Sequence, residues 1–241
     1  MQHLIQKNRL WLRSLRSLRL SQTNIAKEIN YRPQGTLPIS QEAIHGAQHN
    51  KYNLALEKNG YRNIVHGYIE REQRLAHKFY SPITKLAFVC GYEHFTAMLG
   101  DYLLSNPSVI ALAEPDFKLI WGWHAVEEIE HKSVCFDLYQ HAGGGWFKRA
   151  FVYLPVALDF FILFSILFWS MLYKDGLLKP RKLLQTIKQF LSFFFGKTGV
   201  VWYLLKHSFQ YLSPSFAPWN HDNRAKTEEW IASNTENIKT L

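Results

Sequence analysis

The chain holds 241 residues, 47% hydrophobic and 20% charged, a balance that excludes a disordered or collagen-like polymer and suits one or two domains with a buried core. Its formal charge of +9 is concentrated at the amino end, where residues 1–41 hold seven Lys or Arg and one acid, Glu28; the near-balance elsewhere removes nucleic acid from the expected partners. Two cysteines, Cys90 and Cys135, make no disulfide framework and no secretory signal pattern opens the chain, so a reducing, cytoplasmic face is expected.

Residues 4–29 carry Trp11, Leu15, Leu18, Ile25 and Ile29 at helical spacing, with Arg9, Arg13, Arg16 and Arg19 mostly turned away. This predicts a basic amphipathic helix, and the same acid-poor composition suits a transit peptide or a membrane-surface anchor. Pro33, Gly35 and Pro38 break the pattern and set the first boundary at residue 38. A helix is expected from Gln41 to Leu56, with Ser40 as its N-cap and Asn59 and Gly60 as its stop. Further helices are expected over 64–79, over 82–105 and over 116–139, the last ending at Gly143, Gly144 and Gly145. No alternating strand pattern and no internal repeat occurs. The fold class is therefore all-α.

Residues 150–173 contain one charge, Asp159, and one proline, and their length can cross a bilayer. A second apolar stretch, residues 190–211, is interrupted by Gly196, Lys197 and Lys206, and reads as the return limb of a hairpin or as an interfacial helix. Basic residues flank the first stretch on both sides, so orientation is only weakly specified. Asp159 near the middle favours packing against the bundle. Membrane association is the expectation.

The chemistry lies upstream. Glu42, His45 and His49 stand three and seven residues apart, which brings them within roughly 60° of one another on a helix. His124, Glu128 and His131 share a face in the same way. Each helix therefore contains Glu-x-x-His, whose carboxylate and imidazole, one turn apart, can reach one metal ion. Glu93 on the helix between them is placed to bridge two ions, with the small Ala97 one turn on. A single Glu-x-x-His arises often by chance, but two copies, each with an extra histidine on its face, point to a metal site. Glu127 is an alternative to Glu128 or its neighbour, Glu130 falls off the stripe, and Asn53 follows His49 as a supporting partner. His66, His77, His94, His141, His207 and His221 lack a partner at ligand spacing and are expected to be structural. The expected organisation is a basic segment over 1–38, a metal-binding bundle over 39–145 and a hydrophobic helical region over 146–241.

The arrangement resembles the ferritin-like di-iron carboxylate bundle, in which a Glu from each of two helices joins a Glu-x-x-His from each of the other two. More narrowly, QEAIHGAQHNKYN, GYEHFTA, WGWHAVEEIEHKSVCFDLY and PSFAPWNHD are similar to a bacterial family of predicted metal-dependent hydrolases, over about residues 39–230. That resemblance implies a ferritin-like fold, a metal centre and a membrane-associated tail. It also implies a Glu-bearing helix about thirty residues before Gln41, a position that falls near Leu12, where this chain has no acid.

Two divalent ions are expected, iron favoured, with manganese or zinc as alternatives. Three functions are compatible with such a centre: hydrolysis, di-iron oxidation of an apolar or lipid-like substrate, and a non-enzymatic membrane scaffold that has lost the upstream ligand. No P-loop, dinucleotide-binding glycine motif or Ser/His/Asp order competes for the catalytic role.

Overall fold

The computed structural model describes residues 39–111, 113 and 115–238, with side chains from residue 46 onward. The expected amphipathic helix over 4–29 and the break after it lie outside the described residues. The described chain is helical, with no strand: α1 (Ile39–Lys58), α2 (His66–Phe79), α3 (Pro82–Ser105), α4 (Pro115–His141), α5 (Trp146–Lys174), α6 (Pro180–Phe195), α7 (Val200–Tyr211) and α8 (Arg224–Ile238). Short 3-10 turns cover Pro107–Ile110 and Pro218–Asn220.

The boundaries follow local chemistry. Pro82 occupies the first turn of α3, where its missing N–H costs nothing, and the Ser81 hydroxyl caps that turn by accepting from the Thr84 amide at 3.3 Å. Gly60 and Gly143 end α1 and α4 at φ of 80° and 76°, a conformation that side-chain-bearing residues rarely adopt. Helix α1 begins at Ile39, two residues before the start expected at Gln41, and the side chain of Ser40, its expected cap, lies outside the described ones. The apolar stretch over 190–211 is two helices rather than one, because Gly196–Gly199 turns the chain between α6 and α7.

The long helices α3 and α4 form the centre. They approach so closely that a Cβ on Gly100 would sit 2.7 Å from the carbonyl oxygen of Ala125 and 3.1 Å from its Cα. Glycine is required there because both obstructing atoms are backbone. Around this seam Leu86, Ala87, Val89 and Cys90 of α3 pack on Cys135, Leu138 and Tyr139 of α4, and Val152 and Val156 of α5 close the cluster. Both cysteines are buried and neither forms a disulfide; the Cys90 thiol donates to the carbonyl of Cys135 at 3.0 Å. The core thus draws on both sides of the glycine run at 143–145.

Helix α5 turns Arg149, Val152, Tyr153 and Val156 inward at three- and four-residue steps. Its midpoint is tied down by Asp159, whose carboxylate accepts from Tyr68 of α2 and Tyr92 of α3, each at 2.7 Å. Just past its end Asp175 accepts from Tyr61 at 2.5 Å. Helix α8 fastens on the far side, with Trp230 laid over Gly122 of α4.

Gly100→Ala is expected to destabilise the protein by about 1–3 kcal/mol, since the added methyl meets rigid backbone. Gly67→Ala in α2, where nothing lies within 4 Å, is expected to be neutral or to stabilise by up to about 1 kcal/mol through helix propensity. Thermal melting of the two variants beside the parent checks both signs.

Candidate metal centre

Helix α4 carries acid and imidazole groups into the bundle. Glu127, Glu128 and His131 are 6%, 8% and 4% exposed, whereas Glu130, expected off the stripe, is exposed. Ala125 and Ile129, one turn apart, are buried in the interior of the same helix, which fixes its rotation and so directs the 124–128–131 face.

The donors on that face meet. His124 Nε2 lies 3.5 Å from Glu128 Oε1. The other Glu128 oxygen accepts from the hydroxyl of Thr96 on α3, one turn beyond Glu93. Glu93 itself presents a buried carboxylate oxygen. From α1, His49 sets its ring edge-on to that of His124, with centroids 4.6 Å apart and planes at 87°. His49 of the first expected stripe therefore meets His124 of the second, and α3 adds the Thr96 hydroxyl. Thr96 was missed by the sequence reading, although its i+3 spacing from Glu93 was there to be read.

Aromatic rings close the outer side. Trp121 stands 5.4 Å from His124 and 6.5 Å from His49, edge-on to both, and Tyr52 stands 5.7 Å from Trp121. The cleft between these rings has a volume of about 10 Å³, room for roughly one water molecule. Burial pushes the His124 pKa down to about 3, and the neighbouring His49 and His131 act in the same direction. His124 is a neutral imidazole at physiological pH, a lone-pair donor to metal or a hydrogen-bonding group rather than a cation.

Glu42 and His45 lie on α1 two turns and one turn before His49, and their side chains are outside the described residues. Among the described residues no three His, Cys, Asp or Glu side chains form a metal-holding group. The chemical type of the donor set nevertheless fits a divalent ion. Carboxylates on α3 and α4 are carried into low dielectric beside an imidazole that stays uncharged, and a cation offsets the cost of burying them.

The remaining histidines divide. His66 pairs weakly with Glu70 along α2 at 3.8 Å. His94, adjacent to Glu93, is buried on a different face of α3 and meets His207, while His221 pairs with Asp101. These three were expected to be structural because no partner stands at helical spacing; their partners come from more than a hundred residues away.

A family model described as "Predicted metal-dependent hydrolase" matches residues 17–222. The matched range includes all three helices of the site and the segment that follows α7, and begins beyond Leu12. No curated protein and no solved structure matches the chain.

Thr96→Val removes the hydroxyl that α3 gives to the buried Glu128 carboxylate, and is expected to cost about 1–3 kcal/mol. Thr96→Ser keeps the donor and is expected to retain most of that stability. Chemical denaturation of both variants measures the difference.

Proposed function

Because the chain belongs to the family of predicted metal-dependent hydrolases, we propose that it is a hydrolase whose divalent ions are held between α1, α3 and α4. The observation that supports this reading is the contact of His49 with the His124–Glu128 pair, which joins a histidine of one Glu-x-x-His helix to the other such helix. Glu42, His45, Glu128, His131 and Glu93 would hold the ions, and His49 and His124 would serve as additional ligands or orienting donors. Bound there, a pair of ions would lower the pKa of a water and polarise an ester or phosphoester oxygen.

The chain's own groups set the conditions. Thr96 holds one Glu128 oxygen and so fixes the rotamer of the other. Trp121 and Tyr52 restrict water at the mouth. Iron is favoured over manganese and zinc by the doubled Glu-x-x-His pattern. The narrow aromatic mouth favours one second reading, a di-iron centre that uses dioxygen to oxidise an apolar substrate. The two separate on oxygen, since hydrolysis proceeds anaerobically with zinc or manganese and oxidation stops without dioxygen and a reductant.

The same reading includes a membrane seat. Helix α5 is long and apolar enough to cross a bilayer, yet Asp159 ties its middle to Tyr68 on α2. Helix α2 buries none of its residues and carries Glu70, Arg71, Glu72 and Arg74, so it does not follow α5 into hydrocarbon. The geometry therefore favours α5 lying along the membrane surface. Its outward residues include Phe147, Phe151, Leu154 and Leu158. Helix α6 packs on its far half, with Phe190 and Phe194 against Phe168, and exposes Leu184, Ile187, Leu191 and Phe195 as one stripe. Residues 174–206 hold seven Lys or Arg, all exposed, and one acid, Asp175. Cationic residues flanking an exposed apolar stripe suit an anionic bilayer.

His131→Ala and His45→Ala are each expected to remove at least one ion per chain in elemental analysis of purified protein; unchanged content in either variant contradicts the ligand assignment. In vesicle flotation, binding to phosphatidylglycerol-containing liposomes is expected to exceed binding to pure phosphatidylcholine and to fall with salt. Leu184→Asp combined with Leu191→Asp is expected to weaken it by roughly tenfold or more, from the lost burial of two leucines.

A further inference from the structure

A second site lies against another face of α3. His94, Met98 and Asp101 follow each other at four and three residues, a stripe distinct from that of Glu93 and Thr96. His94 and Met98, with His207 of α7 and the segment between α7 and α8, line a cavity of about 200 Å³, some twentyfold larger than the cleft beside His49 and His124, and Asp101 bonds to the lining His221.

The segment over 212–223 is held in place by buried cations. Arg149, 1% exposed, donates to the carbonyls of Tyr211 and Ser213, the latter at 2.7 Å. Lys132, 4% exposed, donates to the His221 carbonyl at 2.8 Å and to Asn223 Oδ1 at 2.7 Å. The Trp146 indole N–H donates to the Leu212 carbonyl at 2.8 Å. These bonds account for the PSFAPWNHD stretch, which the metal centre does not use, and they give the cavity a fixed wall.

In that wall His221 Nε2 lies 2.9 Å from Asp101 Oδ2 and donates to it. Asp101 is fully buried; its other oxygen accepts from Lys226 at 2.8 Å, and the Tyr203 hydroxyl donates to the oxygen that His221 uses. Burial alone would raise the Asp101 pKa, but the bonds from His221, Lys226 and Tyr203 hold the carboxyl well below its usual range. In the neutral imidazole, an ionised carboxylate selects Nε2 as the N–H nitrogen, so that Nδ1 is the one that carries the lone pair. The His221 side chain lines the cavity and keeps 33% of its surface exposed.

The groups facing His221 are Asp101 from α3, Lys132 from α4, Tyr203 and His207 from α7, and Lys226 from α8. Burial keeps His207 neutral down to about 4, so its ring, 4.5 Å from that of His221, adds no positive charge at neutral pH. Met98, Phe216 and Pro218 give the cavity an apolar side, Ser213 and Ser215 give it hydroxyls, and no Lys, Arg, Asp or Glu lines it. An uncharged ligand with one polar carbonyl matches that wall.

We propose that this cavity is a second, metal-independent hydrolytic site for small uncharged esters, with His221 as general base and Asp101 as its positioning residue. His221 Nδ1 takes a proton from a water as the water oxygen bonds to the acyl carbon. The bond from that carbon to the alkoxy oxygen then breaks, and the imidazolium returns the proton to the departing oxygen, leaving an acid and an alcohol. The Ser213 and Ser215 hydroxyls, which line the same cavity, supply donors for the carbonyl oxygen.

The test is hydrolysis of p-nitrophenyl acetate by the full chain before and after exhaustive EDTA treatment. Activity above that of an equal concentration of free imidazole should survive chelation, fall about a hundredfold or more in His221→Gln, and fall in kcat more than in KM in Asp101→Asn with an altered pH profile. Met98→Phe narrows the cavity without touching the pair and should raise KM, with folding of each variant checked by circular dichroism. Activity no greater than that of imidazole, activity abolished by EDTA, or unchanged rates in a folded His221→Gln variant would each overturn the proposal. Activity abolished by EDTA would assign the hydrolysis to a metal centre instead; the other outcomes, read on the chelated protein, leave the proposal for the centre between α1, α3 and α4 untouched.

Discussion

The contact between α3 and α4 is the constraint on which the rest depends. At Gly100 and Ala125 the two backbones touch with no side chain between them, so neither helix can rotate or slide without a clash. That fixed register sets Thr96 against Glu128, one turn beyond Glu93 on α3. The hydrophobic cluster around Leu86, Cys135 and Val156 keeps the pair together, and the acidic and imidazole groups are carried into the interior by helices that are already rigid. A site built on such elements is preorganised in a way that a site on loops is not.

Helix α3 serves two different chemistries because successive side chains on a helix diverge by about 100°. Thr96, on the Glu93 face, bonds to Glu128 of α4, while His94 and Met98 line the cavity shared with α7 and the segment after it, and Asp101 bonds to His221 there. The first space is narrow and aromatic; the second is roomy and lined by neutral polar groups. Charge is handled differently in each. Carboxylates stand beside neutral imidazole in one, and Asp101 is fully bonded to His221, Tyr203 and Lys226 in the other.

Much of this was legible in the amino-acid sequence because it is local. Proline and glycine marked the limits of α1 to α4 to within two residues, and three- and four-residue spacing put His124, Glu128 and His131 on one face. The family resemblance over the same motifs agrees with the matched family model. What spacing could not reveal is contact between distant segments. Asp101 and His221 are 120 residues apart, and nothing near either one announces the other. Likewise Asp159, which reads as an oddity within an apolar run, is explained only by two tyrosine hydroxyls from α2 and α3. The Gly196–Gly199 turn shows a further limit: hydropathy merged two helices because both are apolar.

The central claim is that two distant Glu-x-x-His helices supply one interior metal centre. Its most direct measurement is anomalous diffraction at the iron, manganese and zinc edges from crystals of the metal-loaded protein. The expected result is an anomalous peak between α1 and α4, within bonding distance of His45, Glu128 and His131. A peak elsewhere, or His45 and His131 turned to opposite outer surfaces, would contradict it.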